Sequence, residues 1–253
     1  MKINDDKGDV VGTMMDAVMG AVMGAVIGSA ADSSMNILNH KHTIDSSGNN
    51  YNWLNKKEWY DHYLSFELLH IKPGDYNLIA DKLSFGLYSF PLMNKTFCSE
   101  LVQKLKVTDK WTTNRHKSYP TNDILLKNFD WNFYKMYNNV FRTHCIPAVN
   151  KMFKSGFKIN EVNIEETFIV RYTTTAQPGL GVHHDASTFS VVLNLTDACE
   201  YEGGGTYFVQ HDVLVKRDAG VAVIHPGQLT HKHGVRPLIK GERYCIVTFA
   251  RCK

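Results

Sequence analysis

Two histidine-containing segments, separated by about fifty residues, most constrain how this chain can fold. The first contains the pair His183-x-Asp185, and the second, residues 230–234, contains two histidines and is followed by Arg243. Alternate residues of an extended segment share one face, so the side chains of His183 and Asp185 point the same way. A third ligand from the distant segment would complete a set of two imidazoles and one carboxylate. That set suits Fe(II) and leaves coordination positions open for other molecules.

The histidines leave two choices open. His184 adjoins His183, although only His183 stands two residues before Asp185. In the second segment, His231 and His233 could each supply the third ligand. A single histidine is more often a hydrogen-bonded structural residue than a ligand, so the prediction depends on the whole set and its order.

Three further residues are candidates for supporting roles. The guanidinium of Arg243 can bind a carboxylate with two parallel hydrogen bonds, and it is predicted to hold the far carboxylate of a 2-oxoacid. The alternative is a surface ion pair. Tyr172 is predicted to hydrogen-bond the same molecule, with an ordinary strand aromatic as the alternative. His225, within a His-Pro-Gly sequence, is predicted to shape a turn or to support a ligand from behind.

The sequence changes from helical to β-rich character near residue 156, which predicts an α+β fold. Helical patterns precede this point, at residues 53–70, 97–106 and 129–153, with one strand at 87–92. Short β-rich runs separated by turn residues follow it. We expect a domain over 53–253, with a helical lead-in (53–156) and a sandwich or double-stranded β-helix (jelly-roll) core (157–253). The predicted core strands are residues 166–173, 188–195, 205–210, 220–225 and 244–249.

The first 52 residues are predicted to form a separate segment that ends in a polar linker. Residues 10–31 are nearly all small or apolar, and glycines recur there at positions 20, 24 and 28. That spacing would let another helix approach closely in lipid. A membrane-associated helix, a signal peptide and a soluble appendage are all compatible with this composition. Localisation therefore stays open, with membrane association through residues 10–31 as one expectation.

Composition excludes several other classes. The net charge of +3 is too small to indicate binding to nucleic acid, and no dense Lys/Arg run is present. The five cysteines form no Cys-x-x-Cys pair, which argues against a zinc knuckle, a redox motif or a disulfide framework.

Several longer motifs closely resemble the catalytic domain of procollagen-lysine 2-oxoglutarate 5-dioxygenases, within the Fe(II)/2-oxoglutarate-dependent dioxygenase superfamily. The resemblance covers residues 59–253. The most specific motifs are His-His-Asp-Ala-Ser-Thr-Phe (183–189), Glu-Gly-Gly-Gly (202–205), His-Pro-Gly-Gln-Leu-Thr-His (225–231) and Gly-x-Arg-Tyr (241–244). The sequence departs from the family at Thr206, where relatives often carry a cysteine, which puts a disulfide there in doubt.

The resemblance implies which residues bind the metal and the co-substrate. It implies Fe(II) bound by His183, Asp185 and His233, because Arg243 follows His233 at the family spacing, and 2-oxoglutarate bound by Arg243. It also implies O₂ and a collagen-like peptidyl-lysine substrate, ascorbate as a reductant, and a tendency to form homodimers.

Other functions compete with this interpretation. A peptidyl-prolyl hydroxylase would use the same centre. An oxygenase that repairs nucleic acid is less favoured because no basic, aromatic groove is evident. A catalytically silent β-helix domain that binds a partner would not need the intact set of His183, Asp185, His233 and Arg243.

Overall fold

The computed structural model describes residues 56–252. The predicted N-terminal segment, including residues 10–31 with their glycine repeat, lies outside the described residues. Within 56–252, every helix is too short or too polar to cross a lipid bilayer.

The α-helices lie before residue 154. Asn94 caps the helix Lys95–Val107 (α3) by accepting a hydrogen bond from the amide of Phe97, and Asp130 caps the helix Trp131–Val140 (α5) in the same way, as expected for short polar side chains at helix N-termini. Residues 131–153 form one helical stretch interrupted by a π-helical turn (Phe141–Cys145), and Pro147 lies in the first turn after it, where a proline is tolerated. The α-helices are α1 (Lys56–Tyr63), α2 (Phe66–His70), α3 (Lys95–Val107), α4 (Leu126–Phe129), α5 (Trp131–Val140) and α6 (Ile146–Phe153).

A seven-stranded antiparallel sheet forms the larger half of the β-structure, in the order β1-β2-β10-β6-β13-β4-β3. Its central strands are rich in β-branched and aromatic residues, which suit a buried pleated surface. The strands are β1 (Asp81–Ser84), β2 (Leu87–Pro91), β3 (Asp123–Leu125), β4 (Val162–Thr173), β6 (Phe189–Asn194), β10 (Val221–Pro226) and β13 (Glu242–Cys252).

A smaller antiparallel sheet, in the order β5-β11-β8-β9, faces the large one, and both contribute side chains to one cavity. Its strands are β5 (Leu180–His183), β8 (Thr206–Phe208), β9 (Val213–Val215) and β11 (His233–Val235). A two-stranded ribbon joins β7 (Glu202–Gly203) to β12 (Leu238–Lys240). Two antiparallel sheets with flanking helices confirm the predicted α+β fold with a jelly-roll core.

The lead-in is less purely helical than its sequence suggests. Strands β1, β2 and β3 all precede residue 157 and pair with the large sheet at its two edges. Of these three strands, the sequence pattern predicted β2 alone. The three consecutive glycines at 203–205 run from the end of β7 to the start of β8, and all three have φ between +61° and +86°, a region that residues with a Cβ rarely adopt.

A candidate metal and co-substrate site

Three side chains converge where the small sheet meets the segment that follows β5. His183 ends β5, Asp185 comes two residues later, and His233 begins β11, directly opposite His183 in the strand pairing. Oδ1 of Asp185 lies 3.4 Å from Nε2 of His183 and 3.8 Å from Nε2 of His233. One ligand atom from each residue lies within 4.8 Å of the others, so the three could hold one metal ion.

Backbone contacts select the tautomer of both histidines. Nδ1 of His183 lies 2.9 Å from the carbonyl oxygen of Gly181, and Nδ1 of His233 lies 2.9 Å from that of His231. A carbonyl oxygen only accepts, so each Nδ1 donates its proton and each neutral ring keeps a lone pair on Nε2. Both lone pairs face the Asp185 carboxylate. Three acceptor groups directed at one another are repulsive unless a cation lies between them, so this donor set fits a divalent metal.

The electrostatics keep Asp185 ionised and His233 neutral. Burial alone would raise the pKa of Asp185, but the neighbouring imidazoles of His183, His233 and His225 outweigh burial and lower it. Ser190 also donates a 2.5 Å hydrogen bond to Oδ2 of Asp185. Burial lowers the pKa of His233. Both states are those that metal coordination requires.

Arg243 is buried beneath the same cavity, near the start of β13. Its Nη2 donates to two neutral oxygens, Oδ1 of Asn194 at 3.3 Å and Oγ1 of Thr206 at 3.2 Å. Its Nε has no hydrogen-bond partner, and no ion pair found within residues 56–252 involves it. A buried cation without a counter-charge is costly. The far carboxylate of 2-oxoglutarate would supply the missing charge and partner.

Tyr172 lies beside Arg243, and burial raises the pKa of its phenol well above the usual range. The hydroxyl therefore stays protonated and is available as a hydrogen-bond donor.

The cavity that contains these groups has a volume of about 370 Å³, which falls within the range of small-molecule sites. The inner faces of both sheets line it. The segment 115–121, which precedes β3, and residues 184–186, which follow β5, form the rest of the wall.

The other histidines lie outside the ligand set. His184 is exposed at the cavity wall, and the ring of His231 is directed to the carbonyl of Phe85. The geometry thus brings His183 and His233, and not His184 or His231, together with Asp185. His225 is buried, with Nε2 3.9 Å from Oδ2 of Asp185, so it lies beside this carboxylate.

The segment 115–121 was not singled out in the sequence. Arg115 fixes its start through contacts of 2.8 Å with Asp123 and 2.9 Å with Glu166. Tyr119 lies over His183, with the two ring centres 5.1 Å apart. Because the segment lacks regular secondary structure and its partners Glu166 and His183 are distant in the chain, no local pattern marks it.

Comparison with known proteins agrees with this geometry. Residues 164–251 match the family described as the 2OG-Fe(II) oxygenase superfamily. A multifunctional procollagen lysine hydroxylase and glycosyltransferase of Caenorhabditis elegans is 32% identical over 200 residues, which are 73% of this chain and 27% of the relative. The procollagen-lysine,2-oxoglutarate 5-dioxygenase 1 of Gallus gallus is 32% identical over 176 residues, 64% of this chain and 23% of the relative. The chain thus spans about a quarter of the length of these curated relatives.

One solved structure supports the fold. An oxidoreductase of the 2OG-Fe(II) oxygenase family from Burkholderia pseudomallei superposes with a TM-score of 0.50 at 17% sequence identity. The superposition covers 72% of this chain and 91% of that one.

Proposed function

The chain contains a 2OG-Fe(II) oxygenase domain, and we propose that it uses Fe(II) and 2-oxoglutarate to hydroxylate lysine side chains in collagen-like peptides. One observation supports this chemistry most directly. Three acceptor groups converge on one point in a cavity that also contains a buried arginine with no counter-charge among the described residues. The lysine substrate is supported by the named function of the relatives.

The proposed roles follow from the contacts. His183, Asp185 and His233 hold Fe(II), and Arg243 binds the far carboxylate of 2-oxoglutarate. Tyr172 donates a hydrogen bond to the same molecule. When bound, the metal and 2-oxoglutarate activate O₂ to hydroxylate an unactivated C–H bond, giving succinate and CO₂, and ascorbate restores oxidised iron.

The protein's own contribution is orientation and exclusion of water. Ser190 holds one oxygen of Asp185, so that the other faces the two imidazoles. The aromatic side chains of Phe168 and Phe249, packed edge to face with ring centres 5.4 Å apart, give the cavity an apolar wall. The methylene groups of a lysine can pack there, while the segment 115–121 limits access of solvent.

The proposal is tested with the full chain, Fe(II), 2-oxoglutarate and ascorbate. Collagen-like peptides with X-Lys-Gly or X-Pro-Gly repeats serve as substrates, and mass spectrometry locates any added oxygen atom. We expect oxidation of lysine, lost in Asp185→Ala. Oxidation of proline alone would reject the lysine assignment in favour of a prolyl hydroxylase. Absence of 2-oxoglutarate turnover under all conditions would favour the silent binding domain.

A further inference from the structure

His231 lies two residues before the proposed metal ligand His233, but its ring points elsewhere. The residue as a whole is 2% exposed. Its Nε2 lies 3.1 Å from the carbonyl oxygen of Phe85, and its Nδ1 lies 3.0 Å from the hydroxyl of Thr230. The carbonyl only accepts, so Nε2 carries the proton and Nδ1 accepts from the hydroxyl. Both ring nitrogens are therefore occupied, which leaves neither free to bind a metal.

The ring of His231 packs against the turn between β1 and β2. Gly86, in that turn, has φ +67°, and a Cβ built on it would lie 2.9 Å from both Cε1 and Nε2 of His231. The absence of a side chain at Gly86 thus permits the close contact between ring and turn. The turn belongs to the lead-in, and Phe85 in this turn precedes His231 by 146 positions in the sequence.

The backbone of His231 makes the second connection. Its carbonyl oxygen accepts the 2.9 Å hydrogen bond from Nδ1 of His233, the bond that leaves Nε2 of His233 directed at Asp185. Residues Leu229–His231 form a single 3₁₀ turn without a side-chain cap. A turn so short has little internal stability, so its contacts with neighbouring elements set the direction of its last carbonyl.

From these two connections we propose that His231 is a positioning residue for the third metal ligand. Its side chain fixes the 3₁₀ turn to the β1–β2 turn, and its carbonyl then sets the tautomer and orientation of His233. The proposal rests on the proposed metal site, and not on the identity of the peptide substrate. It assigns a function to a lead-in element that does not line the cavity.

The test measures metal affinity instead of hydroxylation. Full-length wild type and His231→Leu are titrated with Mn(II), and free Mn(II) is followed by electron paramagnetic resonance. Loss of a group that orients a metal ligand typically weakens binding 10–100-fold, and we expect a loss in that range. His231→Gln, whose amide can still donate to the Phe85 carbonyl, should recover most of the affinity.

His211→Leu is the matched control. Its ring centre lies 4.5 Å from that of His231, and its Nδ1 lies 3.2 Å from the hydroxyl of Ser84 in the same hairpin, but it has no hydrogen bond to a metal ligand. We expect His211→Leu to keep wild-type Mn(II) affinity even where it lowers the melting temperature. Equal losses of affinity in His211→Leu and His231→Leu would reduce His231 to a general packing role and overturn the proposal.

Gly86→Ala tests the same connection from the other side if His231→Leu does not fold. It changes neither the cavity nor the ligand segment, yet it displaces the His231 ring. Weakened Mn(II) binding with an unchanged KM for 2-oxoglutarate at saturating metal supports the proposal. Wild-type Mn(II) affinity in both Gly86→Ala and His231→Gln, together with a lowered melting temperature, overturns it. Failure of wild type to bind Mn(II) would instead reject the metal site itself.

Discussion

Arg243 and Tyr172 are direct partners across the antiparallel strands β13 and β4, and the guanidinium carbon lies 5.6 Å from the centre of the tyrosine ring. Both side chains are buried and face the cavity. The pair thus combines a charge that needs an anion with a protonated hydroxyl. This combination suits one end of a dicarboxylate, and it sets the first two predictions.

Replacement of Arg243 should chiefly affect 2-oxoglutarate. Arg243→Met removes a buried cation that would pair with a carboxylate, a change that costs about 3 kcal/mol or roughly 100-fold in affinity. Arg243→Lys keeps the charge but loses the bidentate geometry of the guanidinium. Its KM for 2-oxoglutarate should therefore lie between those of wild type and Arg243→Met. Succinate production at varied 2-oxoglutarate measures both. Unchanged KM in Arg243→Met would show that another residue binds this carboxylate.

Tyr172→Phe should have a smaller effect of the same kind. The substitution removes one hydroxyl without changing the ring that packs beside Arg243. Loss of one hydrogen bond costs about 1 kcal/mol, so the KM for 2-oxoglutarate should rise about fivefold while Mn(II) affinity stays constant. A larger loss of Mn(II) affinity than of 2-oxoglutarate affinity would argue against the assigned contact.

Stability of the metal-free protein should fall with acid because of His225. Burial, with a smaller effect of the neighbouring His233, lowers the pKa of His225 to about 3, whereas the unfolded value is about 6.5. Between these values the unfolded chain binds more protons than the folded protein. The stabilisation is therefore complete above about pH 6.5 and decreases below it by about 1.4 kcal/mol per pH unit.

Urea unfolding of the metal-free protein at pH 7, 6 and 5 measures this dependence. His225→Gln should lower the slope of unfolding free energy against pH by about the contribution of one histidine, 1.4 kcal/mol per unit. His70→Gln, which changes an exposed histidine, serves as the comparison. Parallel pH curves for wild type and His225→Gln would contradict the prediction.

Arg115 should contribute to stability far more than an exposed cation does. It contacts Asp123, whose carboxylate is fully buried, and removal of one partner of a buried pair costs about 3 kcal/mol. Arg115→Met should lower the unfolding free energy by about that amount. Lys158→Met breaks an exposed pair with Glu161 and should cost less than about 1 kcal/mol. Similar losses for the two variants would show that the Asp123 contact is not important.

Much of the architecture was readable from local pattern. The β-rich runs at 166–173 and 244–249 predicted β4 and β13, although each strand extends several residues beyond the predicted range. The helix at 97–106 was found as Lys95–Val107. Such features depend on the pleat of a strand or the turn of a helix, which neighbouring residues determine by themselves.

The sequence by itself determined the ligand types, the shared face of His183 and Asp185 and the likeness to a known catalytic domain. The spacing to Arg243 already favoured His233 over His231, but only the tertiary structure showed the physical reason, which is that the ring of His231 contacts the Phe85 carbonyl instead. It also revealed the contacts of Arg115. Both features depend on strand register and on contacts between residues up to 146 positions apart. Over such separations, chain closure and packing outweigh the conformational preferences of neighbouring residues.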